Sequence, residues 1–149
     1  MKYFSRHGGW SKAVNKQYRS GLEEKVADEL RNVGCAFDYE KHHIDYEVPS
    51  KVHHYTPDFV LENGIIVETK GAFDAADRAK HRLIKAQHPS LDIRFVFFSS
   101  KTKLYKGSKT TYAEWCKRYG FIYAEKYIPL SWLKEKKKPM SEDDIYKRK

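Results

Sequence analysis

A chain of 149 residues, 40% hydrophobic and 15% aromatic, suffices for one sizeable core and is too short for two. Its 29 lysines and arginines outnumber 20 aspartates and glutamates to give a net charge of +9, which favours a polyanionic partner, either nucleic acid or an anionic membrane surface. No stretch approaches the roughly 18 apolar residues of a membrane span, and MKYFSRHGGW lacks the apolar run of a secretory leader, so a soluble, cytoplasmic protein is expected. Charge alone does not choose between the two partners; nucleic acid is the partner expected, with no membrane partner and no nucleotide cofactor.

Both ends are polar and charged. Residues 1–17 read as a flexible basic arm and residues 134–149 as a charged tail, each mobile until something binds, framing a folded unit over residues 18–133. Ser20 opens a helix: SGLEEKVADELRNVG carries the S-x-x-E capping pattern, apolar residues at 22, 26, 30 and 33, and Gly34 as its stop. CAFDYEKHHIDYEVPSK follows as extended, alternating chain. Residues 42–54 contain no glycine and hold Pro49 mid-way, so this segment is expected not to turn back within its own chain and instead to reach a partner. A hairpin centres on Asn63-Gly64. A second helix is predicted over residues 74–88, with Ala76, Ala79 and Leu83 inward and Arg78, His81, Arg82 and Lys85 outward. LDIRFVFFSS is apolar at nearly every position, as in a central strand covered on both faces. A basic loop, a short helix TYAEWCKRYG with Thr111 and Glu114 as a capping pair, and the extended FIYAEKYIP complete the order, which implies an α/β sandwich around a mixed sheet.

Cys35 and Cys116 show no metal or redox spacing and are read as reduced, packed thiols. Adjacent histidines on a strand point to opposite faces, so His42-His43 and His53-His54 give no support to a zinc site.

The chemistry concentrates in YTPDFVLENGIIVETKG. Glu68 and Lys70 share a strand face with Ile66, and on their own they could be an exposed ion pair. Asp58 decides between the two readings through the turn. A two-residue Asn63-Gly64 loop would set Asp58 opposite Thr69 on the wrong face. A three-residue loop with Gly64 left-handed pairs 61 with 65 and sets Asp58 opposite Glu68. Facing carboxylates repel, so the second register, which is the one expected, makes best sense around a divalent cation; all-oxygen ligation favours Mg²⁺ or Mn²⁺. Glu23 reads either as the capping glutamate of Ser20 or, from its place between Ala27 and Leu30 on the helical wheel, as an inward-facing carboxylate that joins Asp58, Glu68 and Lys70 as the fourth member of the site.

TPD, nine residues, then ETK resembles the PD-(D/E)xK nuclease motif. More narrowly, RSGLE, YTPDF, NGI, VETKG and KTKLYKGS, in this order over residues 18–133, resemble bacteriophage endonuclease I, the Holliday-junction resolvases of short-tailed phages. The resemblance implies a PD-(D/E)xK restriction-endonuclease-like core, a mixed sheet flanked by helices, in a strand-exchanged homodimer bridged by residues 42–54. It implies a catalytic set of Glu23, Asp58, Glu68 and Lys70. Asp58, Glu68 and the Thr69 carbonyl would hold metal, Glu23 would complete a second ion's shell, and Lys70 would orient or help deprotonate the attacking water, with two Mg²⁺ per site replaceable by Mn²⁺. It also implies branched DNA as substrate.

DNA contacts are expected from Lys12, Lys16 and Arg19 in and beside the arm, from Arg78, His81 and Lys85 on the second helix, and from Lys101, Lys103, Lys106, Ser108 and Lys109 in the basic loop. None forms a base-reading module, which suggests backbone and shape recognition. A restriction-like endonuclease on duplex DNA is disfavoured by the small room left for a base-reading insertion. A non-catalytic nucleic-acid binder is disfavoured by the intact carboxylate spacing.

Overall fold

The computed structural model describes residues 17–49, 51–141 and 143–147. Helix α1 (Gly21–Asn32) starts where Ser20, in extended conformation, accepts the N–H of Glu23 on its Oγ at 3.1 Å. It presents Leu22, Val26, Ala27 and Leu30 to the core, and the left-handed Gly34 follows its end.

Strands β1 (Phe37–Tyr39), β4 (Phe59–Leu61), β5 (Ile66–Lys70), β6 (Ile93–Phe97) and β7 (Tyr123–Glu125) form a mixed sheet in the order β1-β4-β5-β6-β7. The first three are antiparallel; β5, β6 and β7 are parallel. Parallel neighbours need long crossovers, and α2 (Ala75–Gln87) and α3 (Tyr112–Tyr119) supply them. As expected for a strand covered on both faces, all five residues of β6 are buried. Phe59, Leu61, Val67 and Val96 pack with α1 and Trp132. Phe73, Phe95, Phe97, Trp115 and Phe121 form an aromatic cluster that includes α3 residues. Cys116, buried there, has its thiol pushed up to about 12 by burial; neither it nor Cys35 is in a disulfide.

The β4–β5 turn has three residues. Leu61 and Ile65 pair, with the Leu61 N–H donating to the Ile65 carbonyl at 2.9 Å, and Gly64 has φ +88°. The ladder continues through Val60–Ile66 and Phe59–Val67, so its register sets Asp58 opposite Glu68. A Cβ on Gly64 would lie 2.9 Å from the Lys138 carbonyl oxygen. Gly64→Val is therefore expected to destabilise the protein by at least ~2 kcal/mol, from the left-handed backbone and the clash together. A wild-type denaturation midpoint would contradict this.

Three sequence expectations are corrected. First, residues 42–54 do turn back: β2 (His42–Val48) and β3 (Lys51–Tyr55) pair antiparallel from Ile44–Tyr55 to Val48–Lys51. Pro49 lies in the connection rather than in a strand, where its missing N–H costs no ladder bond and its fixed φ suits a turn. Second, α2 is rotated relative to the prediction. Ala76 and Ala79 are exposed and Leu83 half-buried, while His81 and Ile84 face the core. Third, the tail beyond Lys134 is docked. Short helix α4 (Leu130–Leu133) leads into it, the Lys138 N–H donates to the Asn63 carbonyl at 2.8 Å, and Ile145 is buried. Arg94, itself buried, joins Asp92 at 2.8 Å to Glu135 at 2.6 Å. Strand β8 (Tyr146–Lys147) then pairs with His42 and His43 on the edge of β2, completing a small sheet β3-β2-β8.

Candidate active site

Glu23, Asp58, Glu68 and Lys70 line one cleft, together with Arg19 and Lys80. The three carboxylates are 8%, 7% and 5% exposed, which excludes the reading of Glu68 and Lys70 as a solvated pair. Asp58 closes the entry to β4, and its Oδ2 accepts from the N–H of Thr69 at 2.9 Å and from its hydroxyl at 2.8 Å. Glu68 accepts the Tyr55 hydroxyl on Oε2 at 2.5 Å and has the Lys70 ammonium 3.8 Å from Oε1. Glu23 serves in part as the expected cap, since Ser20 binds its N–H. Its carboxylate does not return to Ser20: it accepts from the Arg19 N–H at 2.8 Å and from the Tyr39 hydroxyl, which aims it into the cleft.

Glu40 is a residue that sequence reasoning missed. It sits in the left-handed region at φ 49°, just past β1, with its N–H on the Asp58 carbonyl at 3.1 Å and its carboxylate 3.3 Å from the Arg19 guanidinium. Among the described residues, Glu23, Glu40 and Asp58 each place a carboxylate oxygen within 4.8 Å of the others, close enough to share a cation. The triad adds Glu40 to the expected set, while Glu68, which faces Asp58 across the register and is the strongest charge acting on it, lies outside the triad. Glutamate gives no turn signal, so nothing in the local pattern announced a left-handed residue there.

The charges are poorly balanced. Burial, then Glu68 and Glu23, push the Asp58 carboxyl well above the usual carboxylate range, and the two Thr69 donors do not offset this. Burial also raises Glu68, against the pull of Lys70 and the Tyr55 hydroxyl. Burial disfavours the charge on Lys70, yet Glu68, Asp77 and Asp58 outweigh it and raise its pKa. A carboxyl raised on folding favours the folded state below the ordinary carboxylate range and opposes it as pH rises through the raised value. Asp58→Asn keeps an oxygen for both Thr69 donors and removes the charge. At neutral pH without divalent ions this variant is expected to unfold at least ~2 °C higher than wild type. An equal or lower Tm would refute this electrostatic account.

The expected DNA contacts divide. Lys12 and Lys16 lie outside the described residues. Arg19 borders the cleft and is largely exposed. Lys101, Lys103, Lys106 and Lys109 are exposed on the loop before α3, while Ser108 is half-buried and donates to the Thr110 carbonyl. Arg78 is a brace, its guanidinium on the Phe73 carbonyl at 2.6 Å and the Leu104 carbonyl at 3.4 Å. Lys85 reaches the Gly120 carbonyl at 3.1 Å, over the Phe121 ring. His81 is a correction: it is fully buried against Tyr55, Phe73 and Phe95, and burial holds its imidazole well below the ordinary pKa. A neutral ring inside the core cannot touch DNA. Basic periodicity on α2 suggested an outer face, and the apolar role of an aromatic imidazole was the signal overlooked.

The Phage endonuclease I family model matches residues 2–149. The chain is 52% identical over 134 residues to Endodeoxyribonuclease 1 of Enterobacteria phage T3, covering 90% of this chain and 88% of that protein. It is 51% identical over 144 residues to Endonuclease I of Escherichia phage T7, covering 95% and 96%. Agreement at this level over nearly the full length assigns the chain to the phage endonuclease I family.

Proposed function

We propose that the chain is a metal-dependent endodeoxyribonuclease that resolves four-way and other branched DNA junctions by phosphodiester hydrolysis on a PD-(D/E)xK core, in the cytoplasm of a phage host. The observation that carries the reading is the cleft itself: buried carboxylates crowded together, with the half-buried Lys70 supplying an ammonium beside them, in a family whose compared members are named endonucleases. The donor set fits a hard divalent cation. Its ligands are oxygens, and the raised Asp58 carboxyl marks negative charge in need of a cation. Asp58, Glu68, Glu23 and the Thr69 carbonyl would hold Mg²⁺, or Mn²⁺ in its place, with two ions per site and Glu40 beside them. Bound there, such ions would supply Lewis-acid and electrostatic stabilisation to a phosphodiester displacement.

The chain's own groups do the rest. Thr69 fixes Asp58 through two hydrogen bonds, and Tyr55, whose hydroxyl is held protonated by burial and by Glu68, fixes the Glu68 carboxylate. Lys70, in its ammonium form, orients the attacking water and offsets charge that accumulates on the phosphoryl oxygens. The products carry 5′-phosphate and 3′-hydroxyl ends. Arg19, Lys80 and the lysines of the loop before α3 attract the backbone without reading bases. No helix among the described residues is long and apolar enough to cross a membrane.

A four-way junction offers two equivalent cleavage positions, which a two-fold symmetric homodimer would match. We take the dimer to be strand-exchanged at the connection between Val48 and Lys51. The pairings β1–β4, β2–β3 and β2–β8 each join a strand before this connection to one after it, so exchange would re-form all three between chains without loss of contact.

The test is cleavage of a synthetic four-way junction beside its linear duplex, with and without Mg²⁺. The reading expects Mg²⁺-dependent cleavage of the junction. Cleavage of the duplex alone would point to a restriction-like enzyme, and binding without cleavage to a non-catalytic protein.

A further inference from the structure

Tyr105, 64% exposed, is the most exposed large apolar side chain among the described residues, and it stands in the middle of the basic loop that leads into α3. Other exposed tyrosines are engaged: the Lys25 ammonium sits 3.9 Å from the ring centroid of Tyr127, and the Tyr146 hydroxyl donates to Asp45 at 2.6 Å. Among the described residues, no hydrogen-bond partner and no ring lies against the Tyr105 side chain.

The loop that carries it is built rather than loose. The Leu104 N–H donates to the Thr110 carbonyl at 3.0 Å, Lys103 and Thr111 form a β-bridge, and Leu104 packs on the aromatic cluster of α3. The Ser108 N–H donates to the Tyr105 carbonyl at 3.0 Å, closing a turn whose third residue, Gly107, is left-handed at φ +88°. The loop is also tied to the cleft. Where the chain leaves β6, the Phe98 N–H donates to the Lys70 carbonyl at 3.0 Å, and Arg78 grips the Leu104 carbonyl from α2.

Lysines bind phosphate and need no aromatic among them. An apolar ring presented with them gains by covering the face of a base, and such stacking tolerates any base because each has a π-face. In continuous duplex those faces are covered by neighbouring pairs; they come free where stacking is interrupted, as at the point where strands exchange in a branched junction. We propose that Tyr105 is a specificity-determining residue, its ring stacking on a base left uncovered at the branch while Lys101, Lys103, Lys106 and Lys109 hold the flanking phosphates. The role rests on the branched-DNA reading above, and supplies a way to prefer a branch over duplex with no base-reading module.

The test is equilibrium binding, in the absence of divalent ions, of a four-way junction and of linear duplexes with the sequences of its arms. Tyr105→Ala should lower the ratio of junction to duplex affinity at least ~5-fold, the loss of one stacked base, with duplex affinity and the salt slope unchanged. Tyr105→Phe keeps the ring and should hold the ratio within ~2-fold of wild type. Lys103→Ala/Lys106→Ala should instead weaken both substrates alike and lower the salt slope by ~1 per lost contact. A fluorescent adenine analogue beside the branch should change its emission when wild type or Tyr105→Phe binds and not when Tyr105→Ala binds; the same analogue in mid-arm should respond to none of them. Each tyrosine variant should unfold with wild type, since an exposed side chain without partners contributes little to stability. A smaller fall in the ratio for Tyr105→Ala, equal losses on junction and duplex, or a fall beyond ~2-fold for Tyr105→Phe would overturn the stacking role. A wild-type protein that binds duplex as tightly as junction would instead overturn the branched-DNA reading, and the stacking role with it, before any variant is compared.

Discussion

Glu68→Gln should abolish junction cleavage and leave junction binding intact. The substitution preserves shape and an acceptor for the Tyr55 hydroxyl, so the hairpin and the packing around Tyr55 and Ile66 stay in place. It removes one negative charge from a cleft that, on the proposed function, concentrates negative charge on divalent cations. Weakening a group that merely supports a metal ligand costs ~10–100-fold, so loss of a ligand carboxylate should exceed ~100-fold in the cleavage rate. On the proposed function, binding would rest on Arg19, Lys80 and the basic loop, for none of which a hydrogen bond or ion pair to Glu68 is seen among the described residues, and a less acidic cleft should hold DNA at least as well. Metal-dependent stabilisation should shrink in parallel: Mg²⁺ should raise the Tm of the wild-type protein more than that of Glu68→Gln. A folded Glu68→Gln protein that loses affinity and rate equally would remove Glu68 from the metal site and make it part of the DNA-binding surface.

What the sequence conveyed about this cleft depended on period and turn chemistry. The β4–β5 hairpin was legible because a single glycine decides its register, and register decides whether Asp58 faces Glu68 or Thr69. The ends of α1 and α3 were legible for a similar reason: Ser20 and Thr111 each accept an N–H three residues on, and Gly120 closes α3 in the left-handed region. Glu23 carried two roles in one residue, and only the Tyr39 hydroxyl arriving from β1 shows that cap and cleft are compatible, the N–H serving the first and the carboxylate the second. Where contacts are distant in sequence, the local pattern was silent. Glu40 and Asp77 reach the site through β1 and α2 and had no periodic mark. The docking of the tail rests on Asn63, Asp92 and Arg94, whose partners Lys138 and Glu135 look like ordinary solvated charge in sequence. His81 was misplaced because helical periodicity over alanine-rich turns leaves the phase of α2 weakly determined, and the space between Tyr55 and Phe95 fixed it.

Mixing a Glu23→Ala subunit with a Glu68→Gln subunit should restore nicking of four-way junctions although each protein alone is inactive. Within one chain, Glu23 precedes the connection between Val48 and Lys51, while Asp58, Glu68 and Lys70 follow it. If the connection opens and the segments exchange, Arg19 and Tyr39 keep holding the Glu23 carboxylate within its own chain, while the contacts that bring Asp58 to that segment, including the Glu40 N–H on the Asp58 carbonyl, re-form between two chains. One site of the mixed dimer then combines Glu23 from the Glu68→Gln subunit with Glu68 from the Glu23→Ala subunit and is intact; the other carries both defects. Random reassociation would give about one quarter of the sites in working order, and these would cut one strand of a junction without completing its resolution. If instead the connection stays closed as a hairpin, each site draws all its residues from one chain. Both sites of any mixed dimer are then defective, and mixing restores nothing. The Glu23→Ala/Glu68→Gln double variant mixed with wild type supplies the control: exchange leaves each heterodimer with two singly defective sites, so its activity should not exceed that of the wild-type homodimers in the same mixture, whereas closed chains would leave one intact site in every heterodimer. Recovery in the first mixture together with suppression in the second requires that the chain cross; the opposite pair of results would keep the site of this protein within a single chain.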